Sequence, residues 1–554
     1  MPIESPNLFI EPIEGLVPRV LSLWNRNPIS KTYGCFDRNY WNFKTLVDFP
    51  CATYQQGVYG LSRLLETPAS GNRYHDQPVI AEAVRAGILY WCDLQNPDGS
   101  FNEYYENDRS FCPTAFTTFG VGGAYLASKE RFGVAEQKRV EKHLLSAGLW
   151  LARHTNPDVY NQMTASMLAL YFVGEAVDNS QICDAFGKRR RSVLDAQSPE
   201  GWFPEYGGAD VGYSFLTLDL LATYLSRRED ADIREAGIRL VDFASHFLHP
   251  DGTCGGEYGS RATQHVLPWG ALYFASQGVA SARRVIAWFI QTQKERCGIS
   301  GGVVDDKYST YFYFASYVEA QLSGLQAEFQ DDSPVSASSH EIRYFEGAGI
   351  LRIEQGDLLV WIGYRRNGVC RIYWSGTCVH ADCGYAIEFE DGQAAVSQGT
   401  DPNARVSIRE EGDETCVEVV GRASLYRDVY PLRRWYVPFK LACRTLLRLD
   451  RLAYWLHDRV KADNIKKNRL AALTVNRSFR FRPGVIEIHD RIQSEIPSRS
   501  IKQVRILSDV TTVHSPSSRF FVNGSLRPFP SPRVVAATPD SYNSEMIYKT
   551  DGTR

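Results

Sequence analysis

A chain of 554 residues is too long for one compact core and predicts two or more domains. The formal net charge of −3 excludes the basic excess of a nucleic-acid binder, and 44% apolar content excludes a disordered chain. No window of about 18 uninterrupted apolar residues occurs, so no membrane span is expected. The 12 cysteines include no CxxC pair and read as free thiols rather than a disulfide framework. The opening "MPIESPNLFIEPIEGLVPRV" lacks a basic stretch followed by an apolar core. The cytoplasm is therefore the expected location, with the periplasm or exterior left for export by another route or a start further upstream.

Residues 1–29 read as an N-terminal arm. From residue 30 to 326, loop phrases recur: "NPDGSFNEYY" at Asn96, "NPDVYNQ" at Asn156, "SPEGWFPEY" at Ser198 and "HPDGTCGGEYGS" at His249. Each precedes a helix-period apolar segment, with starts near Cys51, Thr114, Asn161, Gly212, Arg261 and Ser309, a spacing of roughly 50 residues. These segments are rich in Ala, Gly, Ser and Thr, as in "MTASMLALYFVGEA". Those between them, such as "AEQKRVEKHLLSAGLWLAR", are charged on one face. Small inner helices inside amphipathic outer ones predict an incomplete α/α toroid of about five to six hairpins.

Residues 327–342 include the Ser-rich "QDDSPVSASS" and read as a linker. From 343 to 528 the pattern alternates with period two between turn signals, as in "GILRIEQGDLLVWIGYRR" and "SFRFRPGVIEIHDRIQ", predicting an antiparallel β-sandwich. Residues 529–554, beginning in Pro- and Ser-rich sequence, read as a poorly structured tail.

In a toroid, the loops entering the inner helices open on one end of the ring. The entrances carry Gln55, Glu103, Tyr105, Arg109, Asn161, Gln162, Tyr206, Tyr213, Glu257, Tyr258, Arg261, His265 and Tyr308. Convergent polar and aromatic groups in a concavity suit a carbohydrate cleft, whereas each alone reads equally well as a helix cap or core residue.

The phrases "VYNQMTASMLAL", "EYGGADVGYSFLTLDLLATYL", "GGEYGSRATQHVLPWG" and "WSGTCVHADCGYAIEFEDG" carry a family likeness. Over roughly residues 30–528, the chain resembles toroid polysaccharide lyases of the heparinase II/III and alginate lyase type. The resemblance implies β-elimination on an acidic poly- or oligosaccharide containing uronic acid. The C6 carboxylate must be neutralised, a base must take the C5 proton, and an acid must meet the leaving O4. It implies Asn161 as the carboxylate grip, Tyr213 as base or acid with Tyr206 its competitor, and His380 as a β-domain residue reaching over the mouth. Where many relatives have His after that Asn, this chain has Gln162, which cannot titrate.

Arg261 and His265, four residues apart, are expected on one helix face, where Arg261 either clamps a carboxylate or pairs with Glu257. Gln55, Glu103, Tyr105, Arg109, Gln162, Tyr206, Glu257, Tyr258 and Tyr308 are the expected substrate-binding groups. No cofactor is required by this chemistry, and no metal set is assigned. His380, Asp382 and Cys383 leave open a structural metal of the kind some heparinase relatives carry. Three rival readings stand beside the lyase: a uronyl C5-epimerase, a non-catalytic glycan-binding or exopolysaccharide-assembly protein, and a hydrolase using Glu103, Glu205 or Glu257.

Overall fold

A computed structural model describes residues 8–43, 47–325, 340–426, 435–461, 469–496, 499–507 and 533–549. It comprises a helical toroid followed by two packed antiparallel sheets. The inner helices are Gly57–Glu66, Phe111–Ser128, Tyr160–Ala176, Val211–Leu225, Pro268–Ser276 and Phe314–Leu322. Each packs against the next, and the last packs against the first. Small residues make this approach feasible: a Cβ on Gly60 would stand 2.6 Å from the Phe314 ring.

The outer layer consists of Pro78–Leu94, Val134–Arg153, Ser180–Asp195, Ala231–Ser245 and Ala280–Lys294. Its remaining member is Ile10–Leu23, which lies against Phe314–Leu322 and buries Ile13, Leu16, Val17 and Val20. The residues read as an arm therefore belong to the toroid core. Their apolar face was legible, but its partner lies some three hundred residues away in the chain.

Two of the recurrent loop phrases form the same bolt. In them Gly99 and Gly201 adopt positive φ and press on the next outer helix, where a Cβ would meet the Ser146 or Arg239 carbonyl oxygen at 2.4 or 2.3 Å. Gln95 donates to the Gly99 and His143 carbonyls, and Gln197 donates to those of Gly201 and Ala236. At the C-terminal ends of the inner helices, buried Glu319 accepts from Tyr59, Arg63 and Arg227 and ties the ring together.

One sheet contains β1 (His340–Phe345), β2 (Ile350–Gln355), β3 (Leu358–Gly363), β4 (Val369–Trp374) and β5 (Thr377–Asp382), in that order. The other contains β6 (Tyr385–Phe389), β7 (Ala394–Val396), β8 (Arg405–Glu411), β9 (Glu414–Tyr426), β10 (Leu470–Arg482), β11 (Val485–Ser494), β12 (Ile501–Ile506), β13 (Arg533–Thr538) and β14 (Ser541–Lys549). Its order is β12-β6-β7-β9-β10-β11-β14-β13, with β8 also pairing β9. Alternating residues interleave between the sheets: Leu351, Ile353, Val360 and Ile372 from one, Val417, Val419, Phe479 and Ile488 from the other.

Three boundaries differ from expectation. The "tail" supplies β13 and β14, the latter paired with β11 from Ser541 to Lys549; its alternation buries Tyr542, Ser544, Met546 and Tyr548. The β-region is interrupted by helices Tyr436–Arg444 and Asp450–Lys461. Of the expected linker 327–342, residues 327–339 lie outside the described residues, and His340 already opens β1.

Candidate active site

Five of the six predicted inner-helix entrances fall within six residues of an observed start. The exception is Arg261. Residues 261–267 form a loop, Ala262 has φ +54°, and the helix begins at Pro268, where the ring fits the first helical position. Arg261 and His265 are therefore not one helical face.

The centre of the ring mouth is built on two buried carboxyl groups. Glu205 lies in the loop between the Ser180–Asp195 and Val211–Leu225 helices, yet it accepts from the Asn161 backbone N–H at 2.8 Å and from Asn161 Nδ2 at 2.7 Å. Glu205 thus caps the neighbouring inner helix, and the Asn161 side chain is its partner rather than a cap of its own helix. Burial pushes the Glu205 carboxyl well above its ordinary range; the Asn161 N–H donors oppose this and Asp210 adds to it. Asp210 caps the Val211–Leu225 helix through the Tyr213 N–H at 3.1 Å. It also accepts from the N–H of Arg261 at 2.9 Å and from the Thr263 hydroxyl, which fixes the Arg261 loop.

Above these groups, the Arg261 guanidinium lies 4.4 Å from the centroid of the Tyr206 ring. Tyr206 has φ +54°, a strained conformation for a bulky residue, followed by Gly207 at +90°. Tyr213 is buried below the rim. Burial raises its phenol well above 10, Tyr308, Tyr206 and Asp210 add to that, and Arg261 pulls it down. A Tyr acting as base needs a phenol lowered below its ordinary value of about 10, and here desolvation exceeds the effect of one guanidinium. His265 stacks on Tyr308 with ring centroids 5.4 Å apart, and its Nδ1 is 3.1 Å from the Tyr313 hydroxyl. Both His265 and Tyr213 pack on Phe312, within the π-helical turn Ser309–Tyr313. Across the mouth, Lys307 donates to Glu103 at 2.8 Å and lies over the exposed Tyr104, while the Tyr311 hydroxyl meets Cys112 Sγ at 2.9 Å.

Several expected binding groups are placed elsewhere. Gln55 is fully buried, accepting from the Phe36 N–H and donating to the Gly34 and Gly87 carbonyls. Gln162 turns back to accept from Asn156. Tyr105 packs edge-on against Phe439, and Arg109 pairs with Asp98 and Asp450, so both hold the helical insert. Tyr258 bonds His249 beneath the β-domain. Glu257 pairs with Arg371 of β4, and both side chains are buried. Arg366, just after β3, donates to the carbonyls of Glu257, Gly259 and Ser260 and clamps the same loop. Sequence reasoning missed Glu205 as Asn161's partner, and missed Arg366 and Arg371, because nothing local links them to the ring.

His380 does not reach the mouth. It points into the sandwich, with Nδ1 2.6 Å from the Tyr548 hydroxyl and Nε2 2.6 Å from Asp382. Cys370, His380 and Asp382 bring ligand-type atoms within 4.8 Å of one another. However, both Asp382 oxygens accept from Arg477, which also pairs with Asp490. Against burial, Arg477 and His380 hold the Asp382 carboxyl far below its ordinary range. A divalent cation here would sit against the Arg477 guanidinium, so the donor set as arranged does not fit one.

The fold and the site together define a toroid with a polar, aromatic mouth, capped on one side by a β-sandwich. No family model matches this chain, and no curated protein matches it. Among solved structures, the chondroitin AC lyase of Streptomyces coelicolor A3, in complex with chondroitin sulphate, is similar across 98% of this chain and 100% of its own. The identity is 11% and the TM-score 0.45. A Paenibacillus xanthan lyase is similar across 97% of this chain and 55% of its own, at 9% identity and TM-score 0.48. This chain thus spans about half of that lyase. A GH127 beta-L-arabinofuranosidase from Geobacillus stearothermophilus T6 covers 78% of this chain at 10% identity and TM-score 0.34.

Proposed function

We propose that the chain is a polysaccharide lyase-like enzyme that cleaves an acidic, uronic acid-containing glycan by β-elimination. The observation that carries the reading is Arg261, set over Tyr206 and bearing on the Tyr213 phenol at the mouth of the ring. A cation beside two phenols meets the needs of the reaction. Arg261 pairs with the C6 carboxylate and stabilises the enolate-like charge that grows as C5 loses its proton. Asn161, oriented by Glu205, supplies a further amide donor to that carboxylate. Tyr213, a neutral phenol, delivers the proton to the leaving O4, and His265 is the base at C5. His380 has no part in this scheme.

A second reading, hydrolysis, is favoured by one specific observation. Burial pushes Glu205 toward its protonated form, and a second carboxyl group, Glu103, paired with Lys307, lies at another entrance of the ring, a set of carboxyl groups of the kind hydrolysis uses. A panel of uronate polymers separates the readings. Ultraviolet absorbance of an unsaturated uronide identifies elimination; new reducing ends without absorbance identify hydrolysis. Solvent deuterium entering C5 without cleavage identifies an epimerase.

A further inference from the structure

The helical insert, Tyr436–Arg444 and Asp450–Lys461, has two faces of different chemistry. One face is docked. Cys443, Leu447 and Ala453 are buried with Tyr105 of the toroid, Asn107 donates to the Cys443 carbonyl, and the Tyr454 hydroxyl donates to Asp98. The other face is apolar and open. Trp435 is 66% exposed, Leu449 64% and Trp455 60%, with Tyr436, Val437, Leu441 and Leu446 also exposed. So many exposed large apolar side chains between Trp435 and Trp455 are unusual on a globular surface and mark an interaction site.

Three observations choose the occupant. First, the open set mixes aliphatic with aromatic side chains. Sugars stack on aromatic rings but gain little from Leu441, Leu446 and Leu449, whereas acyl chains accept all of them. Second, exposed cations border it: Arg448, Arg451 and Arg459, with Arg444 beside them paired to Asp48 and Glu106, and Asp450 paired to Arg109. Third, the periodicity is that of a helix lying flat. Val437, Leu441 and Arg444 share one face of the first helix; Arg451, Trp455 and Arg459 share one face of the second. Trp between two Arg at four-residue spacing places an amphipathic ring at headgroup depth with guanidiniums on either side.

We infer that this face binds the surface of an anionic lipid bilayer, lying on it rather than spanning it. No described helix is long and apolar enough to cross a membrane. The loop that carries Tyr105, Asn107 and Arg109 to the insert also carries Glu103 and Tyr104 to the ring mouth, so docking holds the mouth beside the bilayer. The inference stands whichever reaction the mouth performs.

The test is co-sedimentation of the full chain with phosphatidylcholine vesicles, with and without phosphatidylglycerol. The expected result is binding to the anionic vesicles, little to the zwitterionic ones, and release by salt. Arg448→Gln with Arg451→Gln should weaken binding roughly 25-fold, at roughly five-fold per cation. Leu446→Ser, Leu449→Ser and Trp455→Ser together should abolish it while leaving the circular dichroism and denaturation midpoint unchanged. Failure of the wild-type chain to sediment with anionic vesicles overturns the inference, as does a triple variant that binds undiminished. A dimer in light scattering that the triple variant dissolves, without vesicle binding, assigns the face to a second copy instead. Binding of an anionic polysaccharide in place of vesicles assigns it to glycan.

Discussion

Replacing Glu257 by Gln removes one half of an ion pair that joins the toroid to β4. The two side chains are 2% and 3% exposed, and the Arg371 Nη2 and Nε atoms approach the carboxylate at 3.1 to 3.3 Å. Gln keeps the shape but leaves the guanidinium without its counter-charge, and breaking one partner of a buried pair costs about 3–5 kcal/mol. Asp251 moderates the loss: against burial, His249 and Arg371 hold its carboxyl low, so some counter-charge remains near Arg371. The expected loss is therefore at the lower end, about 3 kcal/mol, read from guanidinium denaturation curves. Replacing both Glu257 and Arg371 by Met removes the pair together and should restore part of the loss, the remainder reflecting the Arg371 charge that Asp251 gives up. Because the same loop leads to Arg261, hydrogen exchange over residues 255–263 should also quicken in the single variant. A single variant within about 1 kcal/mol of wild type, or a double variant no better than the single, would refute the reasoning.

Other expected outcomes follow from the same geometry. His380→Asn should lower the denaturation midpoint, because it disturbs the Asp382–Arg477 network, but leave kcat/KM on any glycan substrate unchanged; a large selective loss of kcat would return His380 to the site. His246 is held neutral mainly by burial, then by Arg343 and other arginines, with its pKa lowered to about 3. The unfolded chain takes up a proton on His246 near the ordinary value of about 6.5, while the folded chain does not. Stability should therefore fall as pH drops from about 6.5 toward 3 and be fully present above that window. His246→Gln should flatten this part of the curve, and an unchanged slope counts against the assignment. Tyr213→Phe should reduce kcat by about 10²–10⁴-fold, and the wild-type profile should show no alkaline loss from this phenol below pH about 10.

The toroid was legible because inner and outer helices differ in chemistry, and the packing of each on its sequence neighbours is local. "MTASMLALYFVGEA" has no charged face to spare for solvent, and it is buried nearly throughout. Elements whose partners lie far away in sequence were not legible. Ile10–Leu23 completes a hairpin with Phe314–Leu322, and β14 finds β11 across a Pro-rich stretch that drew the whole segment into an expected tail. The insert "WYVPFKLACRTLLRLDRLAYWLH" has helical period, but it falls within a region otherwise alternating with period two.

The site divides in the same way. Residue types at ring entrances singled out Asn161, Tyr206, Tyr213, Arg261 and Tyr308, which lie beside one another or share neighbours in the structure. The same rule also collected Gln55, Tyr105, Arg109, Glu257 and Tyr258, whose polar atoms tie one element to another. A polar residue beside a helix entrance has the same local sequence in both roles, and only the long-range partner separates them. For His380 the alternation of β5 was visible, but which face met the opposite sheet was not.

The most direct test of the central claim is the ultraviolet absorbance produced when the wild-type chain, Tyr213→Phe and Arg261→Ala are each incubated with uronate polymers. The account predicts a steady rise with the wild type on at least one acidic glycan and almost none with either variant. A rise of equal rate in all three, or glycan cleavage without any absorbance, would contradict it.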